Sequence, residues 1–154
     1  MQKPFKYRRF EFVMTLPSVA INYGAVFVSA VAGMIIGAIW YSPSVFGKIW
    51  MKGSKISSQK ISKAKNKGMG KLYLIAFLGS IVMACVLASF LAYVAATTVS
   101  DALELSLWIW AGFVLPLLLG CTLWKRESWG AYLVNVVYQL VNIVVMSIIL
   151  TLWV

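Results

Sequence analysis

The sequence predicts an all-α polytopic membrane protein, a four-helix transmembrane bundle with a short interfacial amphipathic helix after the first span. Three observations predict it. Hydrophobic residues make up 62% of the 154-residue chain and charged residues 12%, against about 25% charged in a soluble domain. Four apolar runs, at residues 22–41, 72–96, 105–124 and 130–153, reach the length of about 20 residues that a spanning helix requires. No charged residue interrupts any of them.

Each span has its own marks. Tyr23 and Trp40 bracket the first. Aromatic residues favour the membrane–water boundary, and the helix between these two is about 26 Å long, close to the thickness of a hydrocarbon core. Its apolar run continues past Ala30-Val31-Ala32 to Trp40, too long for the core of a cleaved signal peptide. Along this helix Ala25, Ser29, Gly33 and Gly37 recur at every fourth position.

The second span carries the longer series Ala76, Ser80, Ala84, Ala88, Ala92 and Ala96. Small residues at this spacing let helices approach closely in lipid. The two series are therefore expected to face other helices, in part each other. In the third span Trp108, Gly112, Pro116, Gly120 and Trp124 repeat the spacing. Pro116 cannot donate to the Gly112 carbonyl, so a kink is expected there.

The fourth span holds the one clear polar face, Asn135, Tyr138, Gln139 and Asn142, at i, i+3, i+4 and i+7. Amides are costly in hydrocarbon, so this face must turn inward. Two roles fit: interhelical hydrogen bonding, or the lining of a path for a solute.

The connection at residues 42–71 carries Lys48, Lys52, Lys55, Lys60, Lys63, Lys65, Lys67 and Lys71 and no acid. Within it, Ser42-Pro43 reads as a helix start. Val45, Phe46, Ile49 and Trp50 follow at helical spacing, and Gly53 suits a helix end. A short amphipathic helix in the interface is expected here. Lys125 and Arg126 follow the third span, whereas Asp101 and Glu104 follow the second. The positive-inside rule then predicts a multi-pass protein of the plasma (cytoplasmic) membrane with both termini outside. Asp101 suits the start of the third helix.

The net charge of +10 would suggest nucleic acid in a soluble protein, but no nucleic-acid motif accompanies the lysines. Anionic lipid headgroups are the expected partner of Lys48–Lys71. The spans hold no ionisable group of the kind that proton relays, charge-coupled pumps and voltage sensors need. No metal cluster, nucleophile–base pair or phosphate loop is present in the sequence. No enzyme activity, cofactor or metal is expected. The function expected is that of a homo-oligomer or accessory subunit of a larger membrane complex; the alternative is a small channel or carrier for a neutral or amphipathic solute.

Trp40-Tyr41-Ser42-Pro43, then Phe46-Gly47-Lys48 and Trp50-Met51, resemble the domain of unknown function 1761 family of bacterial membrane proteins. In that family a first span ends in a similar WYSP…FGK…W stretch and three spans follow. The resemblance covers nearly all of residues 21–153, with Tyr138 and Trp153 as further points. It implies the four-helix fold and brings no activity. Many members carry an acidic residue where this chain has Asn135, so a proton-linked role would not carry over.

Residues 1–21 form a basic tail outside the transmembrane domain of residues 22–154. Its Lys3, Lys6, Arg8 and Arg9 conflict with an outer N-terminus. A natural start at Met14 would remove these charges. The intact mass of the natively expressed protein is then expected to lack residues 1–13; a mass that includes them refutes this start.

Overall fold

The computed structural model describes residues 21–56 and 68–153. The basic tail, the Met14 start and Lys60, Lys63, Lys65 and Lys67 lie outside the described residues. Among the described residues five helices follow in order: α1 (Tyr23–Trp40), α2 (Gly47–Gly53), α3 (Gly70–Tyr93), α4 (Val99–Lys125) and α5 (Trp129–Leu152). Four of them, α1, α3, α4 and α5, are long and apolar enough to cross a membrane. The chain is thus an integral membrane protein with the all-helical architecture its sequence predicts.

The fourth spanning helix, α5, is the hub. It packs against α1, α2, α3 and α4, and α1 also packs against α3. Ile143, Met146 and Leu150 of α5 meet Ala25 and Val26 of α1, Ala84, Leu87 and Leu91 of α3, and Ala102 of α4 in one core. Asn22 caps α1 by accepting from the Gly24 and Ala25 amides at 3.0 and 3.2 Å, while its Nδ2 donates to the Trp153 carbonyl at 3.0 Å. One side chain therefore joins the start of α1 to the end of α5. Thr98 and Asp101 form a reciprocal capping box at the start of α4, and Ser128 caps α5.

Two helix ends differ from the sequence reading. The short helix begins at Gly47, not at Pro43. Before it, the Ser42 carbonyl accepts from the amides of Val45 and Gly47, at 3.1 and 2.9 Å, in a tight turn. A Cβ at position 47 would lie 2.3 Å from the Tyr41 carbonyl oxygen, so this turn needs glycine.

Gly53 ends α2, as the sequence predicts, and the left-handed residue that follows is Lys55, at φ 56°. Gly53 has a second task. A Cβ there would lie 2.2 Å from Ser128 Oγ and 2.6 Å from Ala131 Cβ, and its carbonyl accepts from the Ser128 amide at 3.1 Å. It lets α2 lie directly on the start of α5. The second difference is at the end of α3, which stops at Tyr93. Ala95 turns left-handed at φ 52°, and Ala96 donates back to Leu91 at 2.9 Å, a Schellman closure.

In α4 the backbone leaves α geometry one turn before Pro116, as a π-turn over Trp110–Val114 closed by Leu115 N–H to Trp110 O. The extra residue is absorbed upstream of the proline, so the missing Pro116 donor falls just after the π-turn.

Gly53→Ala is expected to lower stability by about 1–3 kcal/mol through overpacking against α5. Gly79→Ala is the control, because a Cβ there meets nothing within 4 Å, and it should be neutral or slightly stabilising. Thermal unfolding in mild detergent, followed by circular dichroism, distinguishes the two.

Candidate functional site

The polar face of α5 turns inward onto α1. Gly33 and Gly37 make room for it. A Cβ on Gly37 would lie 2.9 Å from the Tyr138 hydroxyl oxygen. One on Gly33 would lie 2.8 Å from Asn142 Oδ1, 3.2 Å from Ser80 Oγ and 3.4 Å from Met146 Sδ. Three spanning helices thus meet over a single missing side chain. Ser29, one turn earlier on α1, is fully buried.

The small-residue series of α3 takes part only in its middle. Ala84 is fully buried, and Ser80 and Ala88 are half-buried, but Ala76 and Ala92 are exposed. A four-residue spacing advances by about 40° per step on a 3.6-residue helix, so a straight partner cannot follow such a series over its whole length.

At the end of the bundle that leads to the Lys-rich connection, two sequence signals meet. Tyr41 Oη donates to Asn135 Oδ1 at 2.9 Å. The Tyr41 ring packs edge-on against Tyr138, with centroids 5.0 Å apart, and against Trp50 at 5.3 Å. Trp40 packs on Phe46 at 4.7 Å, and its indole N–H donates to the Val134 carbonyl at 3.2 Å. The Trp40–Trp50 stretch and the polar face of α5 are therefore one aromatic and amide cluster. Ser42 and Gly47 shape the turn, whereas Pro43 and Lys48 are exposed and stand outside the cluster.

The four polar residues of α5 do not share one role. Asn135 is paired through Tyr41. Asn142, 4% exposed, has only the thioether of Met83 at 3.7 Å for its Nδ2, and its Oδ1 has no partner. Gln139 Oε1 is also buried and unpartnered. Of the interhelical hydrogen bonding expected of this face, the described residues show the Tyr41–Asn135 bond and the long contact of Asn142 to Met83.

Trp110 escaped the sequence reading. Its indole N–H donates to the Val136 carbonyl of α5 at 2.8 Å. The available signal was its place two residues after Trp108, inside a span, where an indole N–H must find an acceptor. Among the described residues, no group of three or more His, Cys, Asp or Glu side chains is arranged to hold a metal ion.

The match that decides the family runs over residues 24–151, to the model described as "Protein of unknown function (DUF1761)". The chain belongs to the DUF1761 family. The DUF1761 match spans the first turn of α1 to the last turn of α5, so it includes both halves of the cluster. No curated protein and no solved structure matches the chain.

Two substitutions on one face are expected to act in opposite directions. Asn142→Leu removes a buried amide without an adequate partner and should raise stability by about 1 kcal/mol. Asn135→Leu leaves the Tyr41 hydroxyl without its acceptor and should lower it by about 1 kcal/mol. Thermal unfolding in the same detergent checks both signs.

Proposed function

We propose that this protein is a non-enzymatic helix-bundle subunit that works by associating with other membrane chains, first of all with further copies of itself. The observation that carries this reading is the outer face of α4. Gly112 is exposed, and a Cβ on either Gly112 or Gly120 would meet nothing within 4 Å. Pro116 between them is exposed, and Trp108 and Trp124 at the two ends are 69% and 91% exposed. Gly33 and Gly37 of α1 each serve a neighbouring helix, whereas Gly112 and Gly120 serve none among the described residues. Glycine on an outward face permits close backbone approach by another helix.

The remaining parts of the reading follow from charge. Lys48–Lys71 would lie on the cytoplasmic side and meet anionic headgroups at about 1 kcal/mol for each lysine near the surface. The termini would then lie outside the plasma membrane. Asn22 and Trp153 share one end of the bundle, which is compatible with both termini on one side. The absence of any charged residue between Leu105 and Trp124 and in the other spans supports a role without proton or charge transport.

One observation favours the alternative of a solute carrier. A cleft of about 390 Å³ opens at the Lys-rich end, lined by Tyr41, Trp50, Thr122, Lys125, Glu127 and Asn135 among others. A route from it past Gln139 would have to pass Asn142, which is buried against Gly33. Association is therefore the better-supported reading.

Native mass spectrometry after extraction in mild detergent tests it. The wild-type chain is expected as a dimer, a higher oligomer or a complex with another membrane chain. A Cβ at either Gly112 or Gly120 meets nothing within 4 Å among the described residues, so with leucine at both positions the fold should survive while the assembly falls to a monomer. A wild-type chain that is strictly monomeric and unaccompanied refutes the proposal.

A further inference from the structure

At the bundle end that leads to the Lys-rich connection, the last turns of α4 leave a cleft beside α5. Of Leu115–Lys125, Thr122 alone is buried. Leu118, Cys121, Thr122 and Lys125, at i, i+3, i+4 and i+7, share one side of the helix. That side borders the cleft of about 390 Å³, which Tyr41, Trp50 and Asn135 also line. The size lies in the range of small-molecule sites. Deeper along α5 the polar face is shut: Gln139 Oε1, one turn beyond Asn135, is closed off, and Asn142 is 4% exposed.

The cleft holds one charge of each sign. Lys125 ends α4, Arg126 turns left-handed at φ 52°, and the Glu127 amide donates back to the Thr122 carbonyl at 3.1 Å. This reversal brings Glu127 to the same cleft as Lys125. Asn135 adds a donor. Its Oδ1 is taken by Tyr41 Oη, whereas its Nδ2 donates to no described residue and, unlike Gln139 Oε1, is not closed off. Trp50 supplies an aromatic wall. Lys125 is the first charged residue after Glu104, and a charged side chain stays out of the hydrocarbon. The cleft therefore lies at headgroup depth.

We infer that this cleft binds the headgroup of a zwitterionic phospholipid. The phosphate takes Lys125 and the free N–H groups of Asn135, as charge-assisted hydrogen bonds. The ammonium takes Glu127, within reach of the Trp50 ring. Leu118 and Cys121 give the acyl chains an apolar start along α4. A purely anionic headgroup would meet Glu127, and a purely cationic ligand would meet Lys125. A free amine-bearing phosphoester offers the same chemistry without the chains.

The experiment is native mass spectrometry of the delipidated full chain in mild detergent. It is titrated with phosphatidylethanolamine and, separately, with phosphatidylglycerol of the same acyl chains. One saturating copy of phosphatidylethanolamine is expected per chain, at several-fold higher affinity than phosphatidylglycerol. Lys125→Gln should weaken both lipids about three- to tenfold, the loss of one hydrogen bond to phosphate. Glu127→Gln should weaken phosphatidylethanolamine alone and so erase the preference, which a merely structural role would not do. Lys48→Gln, exposed and outside the cleft, should change neither. Gel filtration verifies that each variant is folded.

Competition with glycerophosphoethanolamine separates the two sources. Lipid that stays bound at millimolar competitor identifies a bilayer ligand; lipid that is displaced identifies a soluble one at the same site. Binding that does not saturate, a wild-type chain that binds phosphatidylglycerol as well or better, or a preference unchanged in Glu127→Gln overturns the site.

Discussion

Gly33 is the point on which this bundle depends. A spanning helix in lipid gains little from hydrophobic transfer on meeting another helix, so close packing must supply the attraction. At Gly33 the absent side chain lets α1 approach Ser80 of α3 and Asn142 and Met146 of α5 at once. One turn on, Gly37 admits the Tyr138 hydroxyl in the same way. A larger residue at either place would push α1 away from the helix that carries the polar face.

The rest of the cluster follows from that approach. With α1 held against α5, its last residues, Trp40 and Tyr41, arrive beside Val134 and Asn135, and both donate hydrogen bonds to α5. The turn at Ser42 then brings α2 back over the start of α5, where Gly53 permits direct contact. From the other side, Trp110 of α4 donates to Val136. Two indoles and a phenol thus grip α5 within three residues of one another. Such bonds restrain a helix firmly where water cannot compete for the acceptor. The family match encloses all of these residues.

What the sequence made legible was whatever depends on long apolar runs and on residue type. The four spans, the inward turn of Asn135 to Asn142 and the small series of α1 are of that kind. Helix ends were less legible. Lys55, Ala95 and Arg126 all turn left-handed, a conformation that glycine usually signals. Gly53 ends α2 and also serves an interhelical contact, and only the first role shows in the sequence. The α3 alanines looked uniform, yet Ala76 and Ala92 stand outside the packed stretch. Spacing along one helix does not say where its partner begins and stops. The union of the Trp40–Trp50 stretch with the α5 polar face, across some ninety residues of sequence, was not legible from either segment alone.

The central claim is that the polar face of α5 is sealed against α1 and does not line a water path. The direct measurement uses a chain with Cys85 and Cys121 replaced by alanine and a single cysteine introduced at Asn142, in intact membrane vesicles. Its reaction with a membrane-impermeant maleimide is followed from both sides. The account predicts protection from either side until the protein is unfolded in detergent. Rapid labelling of the folded protein from either side would contradict it.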